Sequence, residues 1–228
     1  MDNSDKVYLV VSGVIFWTSA FLLTRKIFPN SSFDICKRII STIHAVFAVV
    51  LSSISVQDWR YPVSPLASNS SPLQMRALGV NLAYLIYDLV CCWYDKKLKI
   101  DNLVHHLVCI VGIGIGLAHE RCGTEMVATM WITEISSPSL HLREFLKDLG
   151  YKDTNLNLAA DVSFAVTYTV ARMCFGSYLC FVSLFSSNPI LVKAMGVGLF
   201  IVSTYWFCNI VRMVKYKLAK LKDPHSAS

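Results

Sequence analysis

His105 and His106 stand side by side in Leu98–Glu120, LKIDNLVHHLVCIVGIGIGLAHE, a few residues inside an apolar run long enough to cross a bilayer. Imidazole changes charge near neutral pH and can serve as a base or a nucleophile. Ionisable groups inside such a run are costly and rare, which makes the pair the first candidate for chemistry. Carboxylates able to orient an imidazole occur in other apolar runs, as Asp88, Glu134 and Asp161. His44, Asn81, Tyr84, Ser137 and Arg172 are further polar groups in the same kind of surroundings.

The elements that must bring these residues together are membrane spans. Of 228 residues 54% are hydrophobic and 16% charged, with mean hydropathy +0.50, whereas a soluble domain carries about 25% charged residues. Seven apolar segments follow one another: Val7–Leu23, Ile39–Val56, Ala77–Tyr94, Leu103–His119, Glu125–Leu142, Leu156–Phe185 and Val192–Val214. The fold class expected is an all-α integral membrane protein with seven transmembrane helices. The fifth segment is the least hydrophobic, and charge tests whether it spans. With seven spans, the loops after segments one, three, five and seven hold fifteen Lys and Arg against five on the other side. Without the fifth span, the basic C-terminal cluster would fall opposite the basic loops after segments one and three. The bias puts the C-terminus in the cytosol and the N-terminus on the lumenal side. It also accounts for the net charge of +6 without nucleic acid.

Topology assigns each polar residue a depth. His44, His105, His106 and Asp161 lie two to five residues in from the cytosolic end of their segments, and Asp88, Glu134 and Asn209 five to eight residues before the exit. At about 1.5 Å per residue, six segments place a polar group within roughly 3–12 Å of one boundary. Asn81, Tyr84 and Asp88 share one helical stripe, Glu134, Ser137, Pro138 and His141 a second, and Asp161, Tyr168 and Arg172 a third. Arg172 is expected to pair with Asp161 or another acid. Gly112 and Gly116 offer a small surface for close helix contact. Pro138 has no N–H for the carbonyl of Glu134, so a kink is expected there.

Other functional classes make different demands on the same residues. The eight cysteines include no C-x-x-C pair, and no metal site is expected. A membrane di-iron oxidase needs around eight clustered histidines, and the chain has six. A transporter also fits seven helices with inward polar groups, although no inverted repeat is evident. Structural bonding between helices would explain the polar groups without any ligand. Two glycosylation sequons, at Asn30 and Asn69, fall on opposite sides of the membrane, and only Asn69 is expected to be used.

Cys36-Lys37-Arg38 with His44, the run Asn81–Asp88, the histidine pair and the stretch Glu134-Ile135-Ser136-Ser137-Pro138 occur in that order. In this combination the chain resembles the TLC domain family, and in particular its small type-5 subgroup. The resemblance runs from about Cys36 to Lys217. It divides the chain into a leading helix and cytosolic loop (1–35), a TLC domain (36–217) and a cytosolic tail (218–228). It implies a six-helix bundle enclosing a cavity for a membrane lipid or acyl chain, open near the cytosolic leaflet, in the endoplasmic reticulum. In ceramide synthases, which belong to the same superfamily, the paired histidines transfer an acyl group from coenzyme A to an amine. By resemblance His105 and His106 are the catalytic candidates, with acyl-CoA as co-substrate and no resident cofactor. Those enzymes continue with a His-Asp…Asp element, where this chain has Thr133-Glu134. The departure favours lipid handling and homeostasis over acyl transfer.

Overall fold

Side chains that satisfy the first free backbone N–H groups set the helix starts. In the computed structural model, which describes residues 2–95 and 99–222 with side chains to 217, Asp2 caps α1 (Asn3–Ile27) and Ser32 caps α2 (Phe33–Ser55). Ser71 and Gln74 form a reciprocal capping box on α3 (Pro72–Tyr94), and Pro72 sits in the first turn, where its missing N–H costs nothing. The basic-loop residues Lys96 and Lys97 and the side chains of the 218–228 tail lie outside the described residues.

α4 (Ile100–His119) gives way to α5 (Gly123–Glu134) through two left-handed residues, Glu120 (φ 53°) and Cys122 (φ 66°). That conformation costs a residue with a Cβ about 1–2 kcal/mol. The loop before α3 holds the turn in place: Ser70 N–H donates to the Glu120 carbonyl at 2.8 Å and Cys122 N–H to the Ser68 carbonyl at 2.9 Å. The Lys6–Glu120 ion pair at 2.6 Å ties the start of α1 to the same end.

The fifth predicted span is two helices, α5 and α6 (Ser137–Asp148), with the break at Ile135–Ser136. Proline disfavours helical geometry in the residue before it and is tolerated in a first helical turn, and Pro138 lies in the first turn of α6. Together the two helices run along α2. Trp131 Nε1 donates to Ser53 Oγ at 3.2 Å near one end, and Arg38 pairs with Asp148 at 3.7 Å near the other. Among the described residues six helices are long and apolar enough to cross a membrane: α1 to α4, the rod Asn155–Phe185, and the last helix, α9 (Ile190–Lys222). The fifth segment follows the same course in two pieces. The rod consists of α7 (Asn155–Tyr168), a π-helical stretch Thr169–Phe175 and α8 (Gly176–Phe185).

Small residues let α1 lie close on α3. A Cβ built on Gly13 would come 2.6 Å from that of Ala83, and one on Gly79 would come 2.6 Å from Leu9 Cδ2. Behind this contact Trp17, Phe21, Ile40, Tyr84 and Tyr87 form a buried cluster joining α1, α2 and α3. Gly112 of α4 faces Met195 of α9, and Gly116 faces Met126 of α5. Many large apolar side chains, Phe16, Val50, Phe181 and Ile201 among them, point away from the core. Such a surface suits lipid as its surroundings. Asn209, expected to face inward, is exposed on α9.

Candidate functional site

Asp88 on α3 is the hub of the polar layer. Its Oδ2 lies 2.8 Å from His106 Nε2, and its Oδ1 lies 3.3 Å from the ammonium of Lys37 on α2. His106 Nδ1 is 2.7 Å from the Asn102 carbonyl one turn back. A carbonyl only accepts, so Nδ1 carries a hydrogen, and Nε2 is occupied by the carboxyl group. His106 therefore has no free nitrogen with which to act as a base while these bonds last. The Lys37 ammonium also lies 2.7 Å from Cys92 Sγ. Asp88, Cys92 and His106 bring ligand atoms within 4.8 Å of one another, yet Lys37 bonds two of the three. A cation there would have to displace it.

His105 is placed differently. Its ring packs 5.1 Å from the indole of Trp206 on α9, and its closest polar neighbour is the Cys109 thiol, 3.9 Å from Nδ1. Among the described residues neither ring nitrogen has a hydrogen bond stronger than these long thiol contacts. Trp206 is fixed in turn by donating from Nε1 to Asp101 Oδ2 at 2.6 Å. The adjacent histidines thus divide into one held on both sides and one available. Their rings meet edge-on at 84° with centres 5.7 Å apart.

His44 and Tyr84 stack with ring centres 3.5 Å apart, Trp17 meets both edge-on, and Tyr84 donates to Ser41 Oγ at 2.8 Å. His44 Nε2 and Asn81 Oδ1 are buried without a hydrogen-bond partner among the described residues. Asp161 is 3% exposed, accepts from Arg143 Nε at 2.7 Å and pairs with Lys217. Arg172 was expected to pair with an acid such as Asp161. Instead its Nη2 donates to the Thr133 carbonyl at 2.6 Å, and its guanidinium lies against the rings of Tyr168 and Trp206. The last carbonyls of a helix lack partners within it, so a cation at the end of α5 is well placed. Asp161 meanwhile has two nearer cations. Glu134 and Ser137, on either side of the helix break, are half-buried and adjacent, with Glu134 in the field of Arg172.

Beyond this layer, towards the end that carries the N-terminus, lies a cavity of about 1030 Å³ including its opening. α4, α5, α8 and α9 wall it with residues such as Val108, Ile113, Met126, Leu179, Met195 and Leu199. Asn81, Cys109, Thr133, Arg172 and Ser203 provide polar atoms at its inner end. Neither histidine lines it. His105 lies behind Cys109, one turn along α4, and the cavity extends from there towards the end that carries the N-terminus, not towards the end at which the sequence places its opening. Sequence reading missed Lys37, Arg143, Trp206 and Lys217 as members of the polar layer. In the sequence the three cations read as flanking charges of the spans, and a tryptophan in an apolar run gives no sign of which helix its indole will reach.

Residues 27–212 match the TLC domain family. The chain is also 30% identical over 144 residues, 61% of its length, to TLC domain-containing protein 4 C of Dictyostelium discoideum. That match takes in 52% of the relative, so the chain spans about half the length of this curated protein.

Proposed function

The chain belongs to the TLC domain family of multi-pass membrane proteins, and from that premise we propose that it binds the acyl chain of a membrane lipid in the cavity between α4, α5, α8 and α9. The observation that carries this reading is the cavity's composition: mainly apolar walls with a few polar groups converging at the inner end, and Glu125 and Lys193 among the residues of the other end, the usual form of a site for an amphiphile. Its contribution to the cell is control of membrane lipid composition, and its compartment is the endoplasmic reticulum.

Lipid extraction from the purified chain, followed by mass spectrometry, tests the proposal. The chain carries a stoichiometric single- or double-chain lipid, and Gly112→Phe, which puts a ring against Met195 where α4 and α9 wall the cavity, loses it. Gly114→Leu, on the same helix but facing open space, keeps it. Equal lipid content in all three proteins would count against this cavity as the binding site.

The orientation proposed is N-terminus lumenal and C-terminus cytosolic. Asn30 and Asn69 are exposed at opposite ends of the bundle, so glycosylation of Asn69 alone supports it and glycosylation of Asn30 alone reverses it.

A second reading, acyl transfer from coenzyme A to a lipid amine, is favoured by one observation, the unengaged ring of His105 beside the cavity. In that reaction His105 takes the proton of the amine as its nitrogen attacks the thioester carbonyl, and coenzyme A leaves as the thiol. His106 orients through Asp88 and Asn102. Incubation with acyl-CoA and a panel of amine and hydroxyl acceptors tests it: turnover that disappears in His105→Ala supports the reading, and turnover unaffected by that change removes it.

A further inference from the structure

Arg172 is 7% exposed and lies in the π-helical stretch at the inner end of the apolar cavity. π-Helical turns within α-helices are frequent at functional sites. One of its nitrogens is committed to the Thr133 carbonyl, while Nε and Nη1 are buried with no hydrogen-bond partner among the described residues. Full charge and open donors in apolar surroundings are costly unless a counter-charge arrives with acceptors. The acids nearby do not fill that role. Asp161 is taken by Arg143 and Lys217, Asp88 by Lys37 and His106, and Glu134 hydrogen-bonds neither open nitrogen. Asn81 and Ser203 stand at the same end of the cavity as further polar groups. The rings of Tyr168 and Trp206 fix the guanidinium from the side, 5.2 Å and 5.7 Å from their centres.

We propose that Arg172 anchors the anionic head group, a carboxylate or phosphate monoester, of a single-chain lipid that lies head-inward in the cavity. The tail then runs between α4, α5, α8 and α9 towards Met126 and Leu184. The proposal rests on the lipid-binding reading above and adds the head group and its direction.

The test uses the full chain in nanodiscs of zwitterionic lipid, with binding measured for oleate, methyl oleate, hexadecyl phosphate, acetate and inorganic phosphate. Oleate or hexadecyl phosphate binds about tenfold or more tightly than methyl oleate, the low end for a charge-assisted hydrogen bond. Arg172→Gln, which removes the charge and keeps an amide donor near the position of Nε, erases that preference and leaves methyl oleate unchanged, and Arg172→Lys is intermediate. Equal binding of oleate and methyl oleate by the unaltered chain overturns the proposal while the lipid reading stands. So does a head-group preference that survives Arg172→Gln. Acetate or phosphate binding as tightly as the long-chain anions identifies a free-anion site and also overturns it. If no long-chain ligand binds, the lipid reading itself fails. Should Arg172→Gln not fold, Arg172→Lys decides: an oleate preference weaker than that of the unaltered chain supports the proposal, and an undiminished one assigns the head group to another cation such as Lys193 of the same cavity and overturns it.

Discussion

Replacing Asp88 by Asn removes the charge at the hub of the polar layer while keeping its shape. The carboxylate faces the Lys37 ammonium at 3.3 Å and His106 Nε2 at 2.8 Å. At these separations and an effective dielectric of about 20, each full charge pair interacts by roughly 5–6 kcal/mol. Part of this offsets the desolvation of the charges, so the expected net loss is about 3–5 kcal/mol, the range for removing one partner of a buried pair. For a chain of this size that corresponds to a melting temperature lower by about 6–20 °C. The assay is thermal unfolding of detergent-solubilised protein, followed by loss of the monodisperse chromatographic peak. Lys37→Met and the double variant complete a cycle. If the carboxylate acts mainly through Lys37, the double variant is more stable than the sum of the single losses by more than about 1 kcal/mol. A loss of under about 1 kcal/mol in Asp88→Asn, or additivity within about 0.5 kcal/mol, refutes the reasoning.

Asp161→Asn leaves Arg143 and Lys217 without their shared carboxylate, and should cost about 3–5 kcal/mol in the same unfolding assay. Gly13→Leu overfills the contact with Ala83 and should destabilise by about 1–3 kcal/mol, with faster hydrogen exchange in α1. The Lys6 ammonium bonds the Glu120 carboxylate and holds it below the usual glutamate range. Its stabilisation is therefore complete above the unfolded value and is lost as pH falls through the lowered folded value. Hydrogen exchange at the start of α1 should accelerate on that acidification and be insensitive to it in Glu120→Gln.

Local and additive properties were readable from the chain itself. Apolar runs, their flanking charges and capping residues such as Ser71 fix where helices start and which of them can cross a bilayer, because each depends on a few neighbouring residues. The kink near Pro138 was visible for the same reason, although only the structure divides that span into α5 and α6. Helical periodicity likewise placed Asn81, Tyr84 and Asp88 on one face, and all three are buried. Partnership could not be read this way. A charge in an apolar run must find compensation, but the sequence does not say on which helix, so Arg172 was assigned an acid and found a carbonyl and two rings.

The histidine pair separates the two kinds of information most clearly. Its presence a few residues inside an apolar run is legible in the sequence alone. The difference between His105 and His106 arises from packing: α3 brings Asp88 to one ring, and α9 brings an indole to the other. The position of the cavity beyond them follows from the same packing, since an empty volume belongs to several helices at once and to no segment of sequence.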